Sequence, residues 1–577
     1  MSDSRVSRVT RAGRRSPLLG TISVVVALLV ALPVAAVLIQ ALQPTGDVWN
    51  HLAATVLPRY LTNTVWLIAG VGTGVLLIGV GTAWLVTMCE FPGRRIWEWA
   101  LLLPFAVPTY VIAYAYTDFL QYAGPLQTAL RESFGWSRGD YWFPEIRSLG
   151  GVVALMSLVL YPYVYLLSRA AFLEQSVCVL EVGRTLGRGP WQTFSRLALP
   201  LARPAIAGGA ALALMEALND FGAVQYFGVD TFTTGIYRTW FGLGEAAAAA
   251  QLASLLLVFI TLLLLLERRS RGQGQVSATS SRYRSLPRYP LAAGRGALAL
   301  TACAAPVLLG FLLPAALLGY MAVTDGDPLL GGRFLDLAAN SMTLAATAAG
   351  LAVLLALVLG YSLRFSRGPA AVASARVAAM GYAVPGSVLA VGVLGPLGFL
   401  DHQINARFPG WFGVAPGLIF TGSAAALVYA YLVRFLAVSV NAVDASLAKV
   451  TPSMDGAART LGSGPGRTLA RVHLPLTRGS LLAAGILVFV DVMKELPATI
   501  ILRPFDFDTL AVRAYELASD ERLSQAATSA LAIVAVGIIP VIMLSRALAR
   551  SRPGHEAGNV QDEAVSRTWS TSAGSAG

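Results

Sequence analysis

The chain has 577 residues, of which 56% are hydrophobic and 13% charged, and a formal net charge of +12. A soluble domain carries about twice that charged share, and the apolar residues gather in runs of about 20 or more, so a water-soluble fold is excluded and a polytopic helical membrane protein is implied. The basic excess stands in short segments beside the apolar runs, which sets orientation in a membrane and does not make a nucleic-acid patch; the three cysteines, Cys89, Cys178 and Cys303, are too scattered for a disulfide framework or a thiolate metal site.

In chain order, residues 1–17 form a basic N-terminus with Arg5, Arg8, Arg11, Arg14 and Arg15. The first apolar run, 18–41, is too long for a cleaved signal peptide and no A-x-A site follows it. Further spans are expected near 62–87, 98–120, 149–168, 204–228 and 247–266. Residues 268–295 are polar, basic and Gly/Ser-rich and read as a linker. Six more spans follow, near 296–322, 340–363, 376–397, 417–437, 480–502 and 525–548, before a polar tail at 549–577 that reads as disordered. The pattern predicts an all-α membrane protein of about twelve spans in two domains, 18–267 and 296–548. Placing the N-terminus in the cytoplasm puts most of the 43 Lys and Arg residues inside, so both termini and the linker are expected there, in the cell membrane.

The two domains are repeats. "GRTLGRGPWQTFSRLALP" at 183–200 and "ARTLGSGPGRTLARVHLP" at 458–475 agree at ten of eighteen positions. The offset of 275 residues continues into the next span, where "MEALNDFGA" at 215–223 falls opposite "VDVMKELPA" at 490–498. "FAVPTYVIA" at 105–113 also matches "YAVPGSVLA" at 382–390. An even number of spans per half makes this a parallel repeat, with its pseudo-two-fold axis along the membrane normal. Each copy of the loop lies between the fourth and fifth spans of its half. It is expected to form one short helix ended by Gly187 or Gly462 in the left-handed C-cap position, then a Gly-Pro turn, then a second short helix running up to Pro200 or Pro475. Such a pair makes a docking surface for a partner.

These segments resemble the EAA loop of ABC-type importer permeases, E-A-A-x3-G-x9-I-x-L-P. The first copy, 181–200, matches at Glu181, Gly187, Leu197, Leu199 and Pro200, with Val182 and Gly183 where the two alanines stand in the family. The second, 456–475, matches at Ala457, Ala458, Gly462, Val472, Leu474 and Pro475; Gly456 takes the glutamate position and Asp455 stands one place early. Longer stretches, "LPFAVPTYVIAYAYTDFLQYAGPLQTALRESFGW" among them, are similar to the fused two-half permeases of ferric iron importers. The resemblance implies a type I importer permease fold and coupling loops seated on two copies of an ABC ATPase subunit at the cytoplasmic face. It also implies an extracytoplasmic substrate-binding protein. Importers of thiamine, phosphonate or polyamine share the same class.

The sequence offers little chemistry of its own. No G-x-x-x-x-G-K-[ST] phosphate loop occurs, so ATP hydrolysis is expected in a partner; no H-E-x-x-H, no catalytic set and no cofactor or metal site stands out. What needs a reason is Glu216, Asp220, Asp491, Lys494 and Glu495 inside the fifth spans. Intramembrane charges face a bundle interior or a water-filled path, and both acidic pairs share a helical face at i,i+4. Two readings stand together: a polar lining of the translocation path, and a salt-bridge network that packs the halves. Tyr110, Tyr114, Tyr116, Tyr161, Tyr163 and Tyr165 offer phenol oxygens to a hard cation or sit in an interfacial belt. A 6+6 secondary transporter driven by protons through Glu216 and Asp220 is the rival from another class.

Overall fold

The computed structural model describes residues 17–174, 190–271, 288–324, 331–366, 369–407, 417–447 and 450–550. The basic N-terminus, most of the linker, the tail, and Glu181, Gly183 and Gly187 of the first loop lie outside these. Among the described residues the protein is all helix apart from one short parallel pairing of Cys89–Glu90 with Tyr289–Pro290. Among the described residues eleven helices are long and apolar enough to cross a bilayer, and the bent pair Arg94–Ala106 and Thr109–Phe134, counted as one span, makes a twelfth. The outer faces of the spans present Leu28, Leu77 and Leu298 with 64, 71 and 72% of their surface uncovered, which suits hydrocarbon and not water.

Helices pack closely where a glycine removes the side chain. A Cβ on Gly209 of the fifth span (Leu199–Asn219) would sit 2.8 Å from the Cα of Val164 on the fourth span (Leu149–Glu174). Small residues at such crossings let backbones approach and maximise dispersion contacts, the main source of helix association in lipid.

The halves exchange their first spans. The first span of the chain (Pro17–Gln40) packs against the ninth (Pro369–Met380 and Gly386–Arg407) and the eighth (Gly332–Ser366). The Tyr429 hydroxyl donates to the Leu29 carbonyl at 2.6 Å across this seam. In return the seventh span (Ala293–Thr324) leans on the first half, where Tyr116 donates to the Leu309 carbonyl at 2.6 Å. The repeat is visible in matched anchors as well: Asn63 Nδ2 donates to the Asp230 carbonyl, and Asn340 Nδ2 to the Asp508 carbonyl.

Two expectations need correction. The fifth span of each half does not run unbroken through 204–228 or 480–502. It ends at Asn219 or Met493 and resumes as a short helix, Gly222–Tyr226 or Pro497–Leu502. Nor does the loop's second helix stop at proline. Pro190 to Asn219, and Pro465 to Met493, are continuous rods. Proline has no N–H to donate four residues back, and just ahead of each one the ladder widens to a π turn, Phe194–Ala198 and Leu469–His473. Leu199 and Leu474 each donate five residues back, to Phe194 and Leu469. The helix thereby absorbs the proline without breaking.

Candidate functional site

The breaks in the fifth spans meet at the centre of the molecule. There a cavity of about 90 Å³ is lined by all five charged residues singled out in the sequence, Glu216, Asp220, Asp491, Lys494 and Glu495. That volume holds a few water molecules. Asp220 and Glu495 occupy equivalent positions and do equivalent work. Asp220 Oδ1 accepts from the backbone N–H groups of Ala223 and Val224 at 3.0 and 3.2 Å. Glu495 accepts from those of Ala498 and Thr499 at 2.9 and 3.0 Å. Each acid thus satisfies the orphan donors that begin the next short helix and suits its positive end. Thr109 adds a hydroxyl to Asp220, and Thr499 adds one to Glu495 at 2.6 Å.

The residue that joins the halves is one the sequence reading missed. Arg434, on the tenth span (Ala424–Leu447), lies buried with Nη1 3.1 Å from Glu495 and Nη2 3.5 Å from Glu216. Tyr382 donates to Glu216 at 3.0 Å, and the Gly386 N–H donates to Asn219 at 2.6 Å. All but the Glu495 pair cross between the halves. Gly386 has no room for a side chain, since a Cβ there would lie 2.6 Å from Glu495 Oε1 and 2.9 Å from Arg434 Nη1. Lys494 pairs instead with Asp491 one turn back, at 3.0 Å, and stands 4.6 Å from the Phe105 ring centre. A signal for Arg434 was present: a lone Arg inside the apolar run "LVYAYLVRFLAV" must find a carboxylate.

The six tyrosines separate. Tyr110 and Tyr163 line the cavity. Tyr116, Tyr161 and Tyr165 donate to the carbonyls of Leu309, Leu101 and Glu98, which makes them packing anchors. Tyr110 and Tyr114 are 4 and 2% exposed, and among the described residues their hydroxyls have no partner. Tyr110, Tyr114, Tyr116, Tyr161 and Tyr165 are buried among helices, and Tyr163 is half-buried.

Of the repeated loops, the second is described over 456–475 and the first from residue 190 onward. In the second, Ala457 and Ala458 belong to a helix, Pro452–Thr460, whose C-terminal turn is closed by the Ser463 N–H donating to the Ala458 carbonyl at 2.9 Å. Gly462 has φ of 74°, the left-handed value the sequence required there. Ala458 faces the bundle, while Ala457 and Leu461 face outward, Leu461 with 84% of its surface uncovered. Pro475 and, in the first loop, Pro200 lie inside the rods described above, and Trp191 projects from the start of the first rod, 74% exposed.

The sequence places this chain among known proteins. Residues 75–271 match the family described as binding-protein-dependent transport system inner membrane component. An Fe(3+)-transport system permease of Haemophilus influenzae is 25% identical over 84% of this chain and 89% of its own length. A molybdenum transport system permease of Escherichia coli is 30% identical over 26% of this chain and 63% of its own. A sulfate transport system permease of Escherichia coli is 28% identical over 36% and 73% respectively.

Proposed function

We propose that this chain is an inner-membrane permease of a binding-protein-dependent import system and that it carries ferric iron, driven by two copies of a separate ATP-hydrolysing subunit. An extracytoplasmic binding protein delivers the ion, and both termini face the cytoplasm. The repeated loops seat on the two ATPase copies, through outward groups such as Leu461 and Trp191. When the copies close on ATP, each rod carries the movement of its loop to the break in its fifth span. The cavity between the two breaks then opens to one side or the other.

What carries the ferric reading is the charge of the cavity. Glu216, Asp220, Asp491 and Glu495 face Arg434 and Lys494, four carboxyl groups against two basic ones. A hard cation prefers oxygen donors, and Tyr110 and Tyr163 add phenols. Sulfate or molybdate would meet the excess of carboxylate at close range in a site of low dielectric. The test is uptake of radiolabelled ferric ion, sulfate and molybdate by a deletion strain carrying the gene with its ATPase and binding protein. Iron uptake that stops on removing the ATPase is the expected result. Uptake of an oxyanion instead, or of iron with no ATPase present, overturns the reading.

A second prediction concerns the loop. Gly462→Val places a β-branched residue at a φ of 74°, a strain of about 1–2 kcal/mol in a space otherwise open. The helix end should unwind locally and the loop lose its seat. Uptake is expected to fall at least tenfold with insertion unchanged, as read by isotope counts against the amount of protein in the membrane.

A further inference from the structure

The second loop is fastened to the bundle by a chain of polar contacts for which the described residues of the first half show no counterpart. Arg364, at the end of the eighth span, reaches Asp455 Oδ2 through Nε and Nη2 at 3.0 and 2.7 Å. The same guanidinium donates to the carbonyls of Leu447 and Val450 at 3.0 and 2.9 Å, where the tenth span gives way to the loop. The other Asp455 oxygen lies 2.8 Å from His473 Nε2. The remaining His473 nitrogen is bonded to the Tyr361 hydroxyl on the eighth span. His473 is fully buried, in the π turn of the rod, and Tyr361 is 5% exposed. One carboxylate thus ties the loop helix to the eighth span on one side and to the rod on the other.

In the first half the same places carry no charge. The offset of 275 sets Ala198 opposite His473 and Leu180 opposite Asp455. The second spans are offset by 277, as Asn63 and Asn340 show, which sets Trp84 opposite Tyr361 and Thr87 opposite Arg364. Trp84 packs on Phe194 and Phe172 with ring centres 4.8 and 5.6 Å apart, and Trp191 extends the stack at 5.4 Å from Phe194. The first rod is held by aromatic packing and the second by charge and hydrogen bonds.

We infer that Arg364, Asp455 and His473 are positioning residues, a polar latch that makes the second loop move as one body with the eighth and eleventh spans. The proposal rests on the coupling reading of the loops. It also explains the motif: the acid absent from Gly456 is supplied one residue upstream, and there it is turned inward and engaged within the chain. The two loops are therefore not interchangeable, and the second depends on a partly buried ion pair to transmit force.

The test uses the full complex, with ATPase subunit and binding protein, in proteoliposomes, and reads ferric ion moved per ATP hydrolysed. Asp455→Asn removes the ion pair and keeps the shape. It should lower that ratio at least tenfold while the amount of assembled complex stays constant. Asp455→Glu, which restores the charge, should recover at least half of the ratio, and Thr87→Ala in the first half should leave it intact. A normal ratio in Asp455→Asn, or a glutamate no better than the asparagine, overturns the latch and leaves the importer reading standing. A wild-type chain that retains no ATPase subunit overturns both. If Asp455→Asn does not accumulate, Arg364→Gln is read in the same way, with the same two outcomes deciding.

Discussion

Arg434→Met should abolish uptake and cost the folded protein about 3–5 kcal/mol, the range for removing one partner of a buried ion pair. The reason is the company Arg434 keeps. It stands between Glu216 of one half and Glu495 of the other, with 5% of its own surface exposed. Methionine fills the volume and leaves two carboxylates facing each other without a cation. Glu495 retains its backbone and hydroxyl donors at Ala498 and Thr499. Glu216 keeps only the Tyr382 hydroxyl among its described hydrogen bonds. The double change Arg434→Met with Glu216→Gln should therefore recover most of the lost stability, because the unpaired charge is gone. It should not recover uptake, since the cavity loses its joint between halves. Thermal unfolding of the detergent-solubilised protein measures the first effect, and isotope uptake the second. Equal instability in the single and double variants would contradict this account.

The second large effect lies at the seam of the exchanged spans. A Cβ on Gly392 would sit 2.7 Å from the carbonyl carbon of Pro33 and 3.0 Å from its Cα. Those are backbone atoms and cannot swing aside, so Gly392→Leu must push the first span off its seat. Overpacking in a close-fitted interior costs about 1–3 kcal/mol and more where nothing yields. The expected result is a sharp loss of monodisperse protein on size-exclusion chromatography. Gly350→Leu is the matched control, since nothing lies within 4 Å of its Cβ position. Loss in both variants to the same degree would mean that the added apolar bulk alone is responsible.

Much of this architecture is legible in the amino-acid order. Run length gives the spans, and the 275-residue echo gives the two-part plan. The need for a left-handed turn picks out Gly462 with no knowledge of its surroundings. The rest depends on neighbours that local pattern does not name. Hydropathy says that residues 18–41 cross a bilayer; it does not say that they lie against residues 369–407. The charges on the fifth spans were evident, but their partner Arg434 stands on a different span. Lys494, the nearer candidate, is taken by Asp491. Pro200 and Pro475 looked like helix ends because a regular helix has no place for them, and the π turn that accommodates them leaves no mark in composition. His473 has no partner that its sequence neighbourhood announces; the fold brings Asp455 and Tyr361 to its two nitrogens.

The exchange of first spans has a consequence for biosynthesis. The surface that residues 17–40 complete, around residues 369–407, is made more than 300 residues after them. During that interval the opening helix waits in the bilayer with its seat unbuilt, a tolerable state because lipid satisfies an apolar helix on every side. Severing the gene within the linker would give two products, neither of which can finish its own assembly, so each should be degraded when made without the other.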